Sequence, residues 1–190
     1  KLLQLVENRP IFSHMLDRLK LAKRVDQIIV CTSTNPQDDP LIELAEAEGV
    51  SWFRGDEDDV VKRLSNAATS FNLDYILSIT ADCPFSDPEY ADRIVEAYLE
   101  TNADLIRALT LPHGAFSYGV KPDAFRKIVE IKDQTNTEVW GRYFTDTDLF
   151  QVYDLPVENE LHRQPTLRMT LDYPADLEFF RAVFAGLYRP

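Results

Sequence analysis

Apolar positions along this chain switch repeatedly between helical spacing and short continuous runs. Between residues 10 and 23, Ile11, Met15, Leu16, Leu19 and Ala22 recur at helical spacing, while His14, Asp17, Arg18 and Lys20 fill the other faces. That pattern predicts an amphipathic helix. Residues 27–32 are a β-branched run and predict a buried strand. A helix over 39–48, stopped by Gly49, and a strand over 50–53 follow, with Arg54-Gly55-Asp56 as a turn. The third helix is predicted over 57–71, with Val60, Val61, Leu64, Ala67 and Ala68 inward. A strand over 74–79 comes next. Ser86-Asp87-Pro88 then starts a helix reaching about residue 101, with Ile94, Val95 and Leu99 inward, and 103–109 is a further strand.

After residue 110 the rhythm changes. Residues 113–120 read as a loop and irregular strand, 122–131 as a helix with proline in its first turn, and 133–148 as polar and turn-rich with a short helix near 138–144. Strands over 150–155 and 166–171 and a final helix over 174–187 complete the reading. Strands alternating with helices at this spacing predict an α/β fold, a mostly parallel sheet with helices on both faces. There is no repeat or linker, so residues 1–190 read as a single domain whose middle portion is inserted or appended.

Composition narrows the partners. Of 190 residues, 45% are hydrophobic and 27% charged, and the net charge is −12. So acidic a surface repels nucleic acid, although basic groups gathered locally can still hold a nucleotide. No apolar run approaches the ~20 residues of a membrane span. Two cysteines, Cys31 and Cys83, form no disulfide framework, and a reducing cytoplasm is expected. The chain opens at Lys1-Leu2-Leu3 rather than Met, so an upstream segment is expected.

The chemistry gathers at two acids. Thr80-Ala81-Asp82-Cys83-Pro84 follows the apolar run 75–79, which puts a carboxylate at the carboxyl end of a buried strand, where open α/β sheets bind ligands. Asp172 stands in the same relation to the run 166–171, and Asp176 is one turn further on. Two strand-end carboxylates can hold Mg²⁺ against a triphosphate; each can equally cap the helix that follows it. Lys1, Arg9, Arg54, Lys62 and Arg63 are the available phosphate clamps, and Arg54 stands out because it sits at a strand end before Gly55. Ser33 and Thr34 follow the first strand, where they can bind a base or ribose or cap a helix. The three histidines lack ligand spacing, and there is no P-loop, G-x-G-x-x-G or Ser-His-Asp arrangement.

Five segments together resemble one family. They are residues 1–11, Val30-Cys31-Thr32-Ser33-Thr34-Asn35-Pro36, Phe53-Arg54-Gly55-Asp56-Glu57-Asp58-Asp59-Val60, Thr80-Ala81-Asp82-Cys83-Pro84 and Leu171-Asp172-Tyr173-Pro174-Ala175-Asp176-Leu177, in family order across nearly the whole chain. They resemble the cytidylyltransferases that activate acidic sugars, the CMP-sugar synthetases, and most closely the branch named after the spore-coat polysaccharide protein SpsF. The resemblance implies a Rossmann-like nucleotidyltransferase fold and transfer of CMP from CTP to a small acidic sugar, with release of pyrophosphate, in surface polysaccharide biosynthesis.

For the site, it implies Mg²⁺ as cofactor on Asp82 and Asp172, with Asp176 as a third metal-ligand candidate. It implies Lys1 as a catalytic group on the triphosphate, Ser33, Thr34, Arg54 and Arg63 toward the nucleotide, and Tyr118, Lys121 and Glu138 toward the acceptor. Family members carry a loop R-x-x-S-x-R-L-P-G-K whose last lysine matches Lys1. Asn8 stands where glycine is usual, and Lys62 where a small residue is usual. Residues 110–165 match least and are the expected substrate and dimerisation portion of a homodimer. Phe116, Tyr118, Trp140, Tyr143 and Phe144 are available for a dimer contact or for the core. The alternatives are a non-catalytic nucleotide-binding or assembly domain, and a GT-A-like glycosyltransferase.

Overall fold

The structure, a computed structural model, describes residues 1–188. A small hairpin of β1 (Leu5–Val6) and β2 (Arg9–Pro10) leads into helix α1 (Ile11–Leu19). Strand β3 (Ile29–Ser33), a 3₁₀ turn (Pro36–Asp38), α2 (Asp39–Ala47), β4 (Ser51–Gly55), α3 (Val60–Ser70) and β5 (Ile76–Ser78) follow. Then come α4 (Pro88–Thr101), β6 (Leu105–Arg107), β7 (Tyr118–Val120), α5 (Pro122–Ile131), the short α6 (Arg142–Thr145), β8 (Val152–Asp154) and α7 (Pro174–Leu187).

The expected α/β alternation holds, and local chemistry sets most boundaries. Asp87 caps α4 by accepting from the amides of Glu89 and Tyr90 at 2.8 and 3.2 Å. Gly49, just past α2, has φ +68°, the left-handed conformation that glycine adopts freely. Helix α1 stops short of residue 23 because Asp92 of α4 captures the next amides, those of Lys23 and Arg24, at 2.7 to 2.9 Å. Helix α3 begins at Val60 rather than 57, since Asp56 Oδ1 accepts from the amides of Asp58 and Asp59 and folds that acidic stretch into a turn. Leu99 of α4 is 68% exposed, not inward as its spacing predicts.

Strands β3 and β4 pair in parallel, and a four-stranded sheet runs β5-β7-β6-β8. Strand β7 lies antiparallel between β5 and β6, while β8 lies parallel to β6. Helices α3 and α5 pack together over one cluster that includes Val61, Ile76, Val120, Phe125 and Ile128. Ile94 and Ala97 of α4 pack with Ile106 and Tyr75 in another. A third cluster joins α1, α2 and β3 to Ile79 and Ala81 beyond β5. Between β3 and β5 lies a cavity of about 990 Å³.

The run 166–171 is not a strand. It meets a loop instead of the sheet: Met169 N–H donates to the His113 carbonyl at 2.7 Å, His113 N–H donates to that of Leu167 at 2.9 Å, and His113 and Arg168 form one isolated parallel bridge. Gly114, at φ +96°, permits the approach, because a Cβ there would lie 2.5 Å from the Met169 carbonyl oxygen. Thr166 lies in a turn, and the β-branched composition expected as a strand finds only a single loop to pair with.

Candidate functional site

The turn after β5 is closed by its own backbone, with Cys83 N–H donating to the Thr80 carbonyl at 3.1 Å and Ser86 N–H to that of Cys83 at 3.0 Å. It is then fastened to the distant segment that carries Asp172, since Leu171 N–H donates to the Asp82 carbonyl at 2.8 Å. That one backbone bond sets two carboxylates side by side. The Lys1 ammonium bridges them, 3.2 Å from Asp82 Oδ2 and 3.3 Å from Asp172 Oδ1. Partial burial works against the Lys1 charge, yet the two aspartates together raise its pKa above the ordinary value.

Asp172 is held from several sides. Thr170 Oγ1 donates to its Oδ2 at 2.6 Å and Arg168 Nη1 at 3.0 Å. The Thr170 hydroxyl, then Lys1 and Arg168, keep its carboxyl below the usual range. Asp176 is spent on the helix start: its Oδ2 accepts from the amides of Asp172 and Tyr173 at 2.8 Å each, and Arg168 grips both its oxygens. Arg168 foremost, with the Tyr173 amide, lowers its pKa to about 2. In this structure Asp176 therefore acts as the cap of α7 and as an anchor for Asp172. Arg168 is absent from the sequence-based set. Its four-residue offset from Asp172 signals nothing in extended chain, and only the turn at Asp172 folds it back.

Ser33, Thr34 and Arg54 occupy the carboxyl ends of β3 and β4. Ser33 Oγ donates to Asp38 Oδ2 at 2.6 Å, and Thr34 is exposed. The Arg54 guanidinium is built into the loop after β3, donating to the carbonyls of Ser33 and Asn35 at 2.8 Å each and to Asp39 Oδ1 at 2.7 Å. Arg63 lies with its stem over Gly55, and its Nη1 donates to the carbonyls of Asp56 and Glu57. Arg63, Glu138, Lys1 and Asp82 all line the cavity between β3 and β5.

Tyr118 opens β7 opposite Ser78, at the end of the sheet from which Asp82 emerges. Because β7 is antiparallel, Lys121 leaves from the other end, where it pairs with Asp104 at 3.3 Å. The structure thus brings Tyr118 to the Asp82 edge and does not bring Lys121 there.

Glu138 is positioned by a clasp that sequence reading missed. Buried Asp59 accepts from Lys132 Nζ at 2.6 Å, from Thr137 Oγ1 at 3.1 Å and from the Lys62 amide at 3.2 Å. The side chains of Lys132 and Asp59 are only 10% and 6% exposed. A buried pair of this kind holds geometry more than it adds stability, and it locks residues 132–137 onto the start of α3.

The remaining polar groups offer little chemistry. Burial pushes the thiols of Cys31 and Cys83 up to about 11 and about 12, so neither is a ready nucleophile. Among the described residues, no three His, Cys, Asp or Glu side chains gather as a metal cluster, and no helix is long and apolar enough to cross a membrane.

Comparison with known proteins places the site in context. Residues 1–183 match the family described as Cytidylyltransferase. The chain is 32% identical over 182 residues to an uncharacterized protein of Methanocaldococcus jannaschii, covering 95% of this chain and 74% of that one. It is 27% identical over 162 residues to the spore coat polysaccharide biosynthesis protein SpsF of Bacillus subtilis, covering 84% and 67%. The structure superposes on a cytidylyltransferase from Leptospira borgpetersenii with a TM-score of 0.90 at 25% identity, covering 98% of this chain and 80% of that one. The fold is accordingly the Rossmann-like nucleotidyltransferase fold, and the chain belongs to the cytidylyltransferase family.

Proposed function

We propose that this chain transfers CMP from CTP to a small acidic-sugar acceptor and releases pyrophosphate. The observation that carries the reading is the pair of carboxylates, Asp82 and Asp172, meeting at one ammonium. Nucleotidyl transfer asks the protein mainly for positioning and charge neutralisation. The acceptor hydroxyl oxygen forms a bond to the α-phosphorus, the bond from that phosphorus to the bridging oxygen breaks, and pyrophosphate leaves with the electron pair while the hydroxyl proton passes to solvent.

The donor set suits Mg²⁺, which takes hard oxygen ligands, few of them from protein. Asp82 and Asp172 would hold it, and it would supply neutralisation of the phosphate charge. Asp176 serves the site through Arg168 and Asp172. Lys1 supplies a further positive charge to the triphosphate. The loops carrying Ser33, Thr34 and Arg54 border the nucleoside. Tyr118 and Glu138 flank the acceptor, and Lys121 acts only through the far end of β7. The name of the Bacillus subtilis relative supports a role in polysaccharide biosynthesis.

A homodimer would use exposed positions such as Val139, 74% exposed. Phe116, Tyr118, Trp140 and Phe144 already form an edge-to-face series within the chain, and Tyr143 packs partly buried beside it.

The test offers each of the four nucleoside triphosphates with Mg²⁺ and a panel of sugar acids, and measures pyrophosphate. The expected result is release with CTP at least about tenfold above the other triphosphates, a discrimination of about 1.4 kcal/mol. Release with no triphosphate and no acceptor in the panel would defeat the reading.

A further inference from the structure

The two carboxylate oxygens of Asp172 are held differently. Oδ2 accepts from Thr170 Oγ1 at 2.6 Å and from Arg168 Nη1 at 3.0 Å. Oδ1 faces the Lys1 ammonium, the same cation that Asp82 meets with its Oδ2. Asp82 Oδ1 accepts from Cys83 Sγ at 3.6 Å. Each acid thus presents one oxygen to the point where the pair converges and turns the other toward its own neighbours.

Arg168 maintains this arrangement for Asp172. Its backbone is pinned on both sides by His113, whose N–H donates to the Leu167 carbonyl and whose carbonyl accepts from Met169 N–H. Its Nη1 donates to Thr170 Oγ1 at 2.7 Å, to the Thr170 carbonyl at 3.2 Å and to Asp176 Oδ2 at 3.2 Å, and its Nη2 donates to Asp176 Oδ1. The guanidinium carbon lies 5.7 Å from the centre of the Tyr173 ring. The buried Thr170 hydroxyl accepts from Arg168 and donates to Asp172, so the two side chains act on Oδ2 together. The side chains of Arg168 and Asp172 are 42% and 37% exposed, and ion pairs so exposed contribute about 0–1 kcal/mol. Stability therefore does not account for a guanidinium with so many partners. Direction does: Asp176 fixes the Asp172 backbone by accepting from its amide, and Arg168 and Thr170 fix the plane of its carboxylate.

We propose that Arg168 is a positioning residue that restricts Asp172 to one metal-facing oxygen, and that it thereby makes the site prefer a small divalent cation to a large one. The inference rests on the reading of Asp82 and Asp172 as metal ligands. Mg²⁺ demands a nearly octahedral shell with few oxygens from protein, whereas Ca²⁺ takes about six to eight oxygens and accepts both from one carboxylate. With Oδ2 engaged by Arg168 and Thr170, Asp172 has only Oδ1 to offer. Without Arg168 the carboxylate is free to turn and present both oxygens, which suits the larger ion.

The test reads Mn²⁺ binding by electron paramagnetic resonance in the presence of CTP, with Mg²⁺ and Ca²⁺ each added as competitor. Arg168→Gln should weaken Mn²⁺ binding by about 10–100-fold, the usual cost of losing a group that orients a metal ligand. It should also move the competition in favour of Ca²⁺ over Mg²⁺ by at least about tenfold, the lower end of that range. Arg168→Lys keeps the charge but not the two-pronged geometry, so it should move the competition the same way. Thr170→Val should do so by a smaller factor, and it serves as the deciding variant where Arg168→Gln fails to fold. An unchanged Ca²⁺-to-Mg²⁺ preference in the deciding variant would overturn the proposal. So would equal weakening of all three ions, which marks general damage, or wild-type behaviour in Arg168→Lys, which marks charge alone. Asp172→Asn tells this failure from that of the underlying reading: if it keeps Mn²⁺, Asp172 is not a ligand and the inference falls with it.

Discussion

Replacing Asp82 by asparagine is expected to lower CTP-dependent pyrophosphate release by at least about 10²–10³-fold, the cost of removing one well-aimed electrostatic group from an active site. Asparagine keeps the shape and removes the charge. The fold should survive, because what fastens this turn to the Asp172 segment is the Asp82 backbone carbonyl, which accepts from Leu171 N–H. Among the described residues, its side chain hydrogen-bonds to Lys1 Nζ at 3.2 Å and Cys83 Sγ at 3.6 Å. Its ion pair is partly exposed, and such pairs contribute about 0–1 kcal/mol. A coupled pyrophosphate assay and a thermal melt on the same preparation separate the two effects. Unchanged turnover would remove Asp82 from the reaction, whereas a collapsed melt would show that its side chain is structural.

The substitution Gly119→Ala should be the most damaging small change to stability. A Cβ at this position in β7 would lie 2.2 Å from Tyr75 Oη and 2.4 Å from Ile94 Cγ2. Ile94 has little room to retreat, and Tyr75 is held by stacking. Tyr75 is stacked on Tyr98 with ring centroids 3.9 Å apart, and Ile94 is fully buried. Overpacking of this kind costs about 1–3 kcal/mol, and a value at the upper end lowers the melting temperature of a chain of this size by about 6–12 °C. Among the described residues, Tyr75 Oη is buried without a hydrogen-bond partner. Removing it in Tyr75→Phe should therefore be neutral or stabilising, and the double variant should recover part of the loss while the Ile94 clash remains. A melting temperature unchanged in Gly119→Ala would contradict the packing of α4 and Tyr75 against β7.

The elements legible in the sequence are those that carry their own punctuation. Helices α4, α5 and α7 each begin at a proline, and their observed bounds agree with the expected ones. Strand β7 is different. Three residues with a central glycine have no periodicity to read, and their place between β5 and β6 is set by what packs on Gly119. Its antiparallel direction also parts Tyr118 from Lys121, which lie close in sequence but at opposite ends of the sheet. The meeting of Asp82 and Asp172 was legible because both follow β-compatible runs, even though the second run pairs with a loop. The groups around them were not. Lys132 reaches Asp59 across 73 positions, and Arg168 turns back on two aspartates through a bend that no local pattern announces.

Counting the divalent ions bound beside the nucleotide bears on the whole account. Mn²⁺ stands in for Mg²⁺ and is read by electron paramagnetic resonance, with CTP held in excess. The wild-type protein is expected to bind Mn²⁺ together with CTP, and Asp82→Asn and Asp172→Asn are each expected to lose that ion. Full Mn²⁺ occupancy in both variants would mean that these carboxylates, although they share one ammonium in the structure, do not hold the metal.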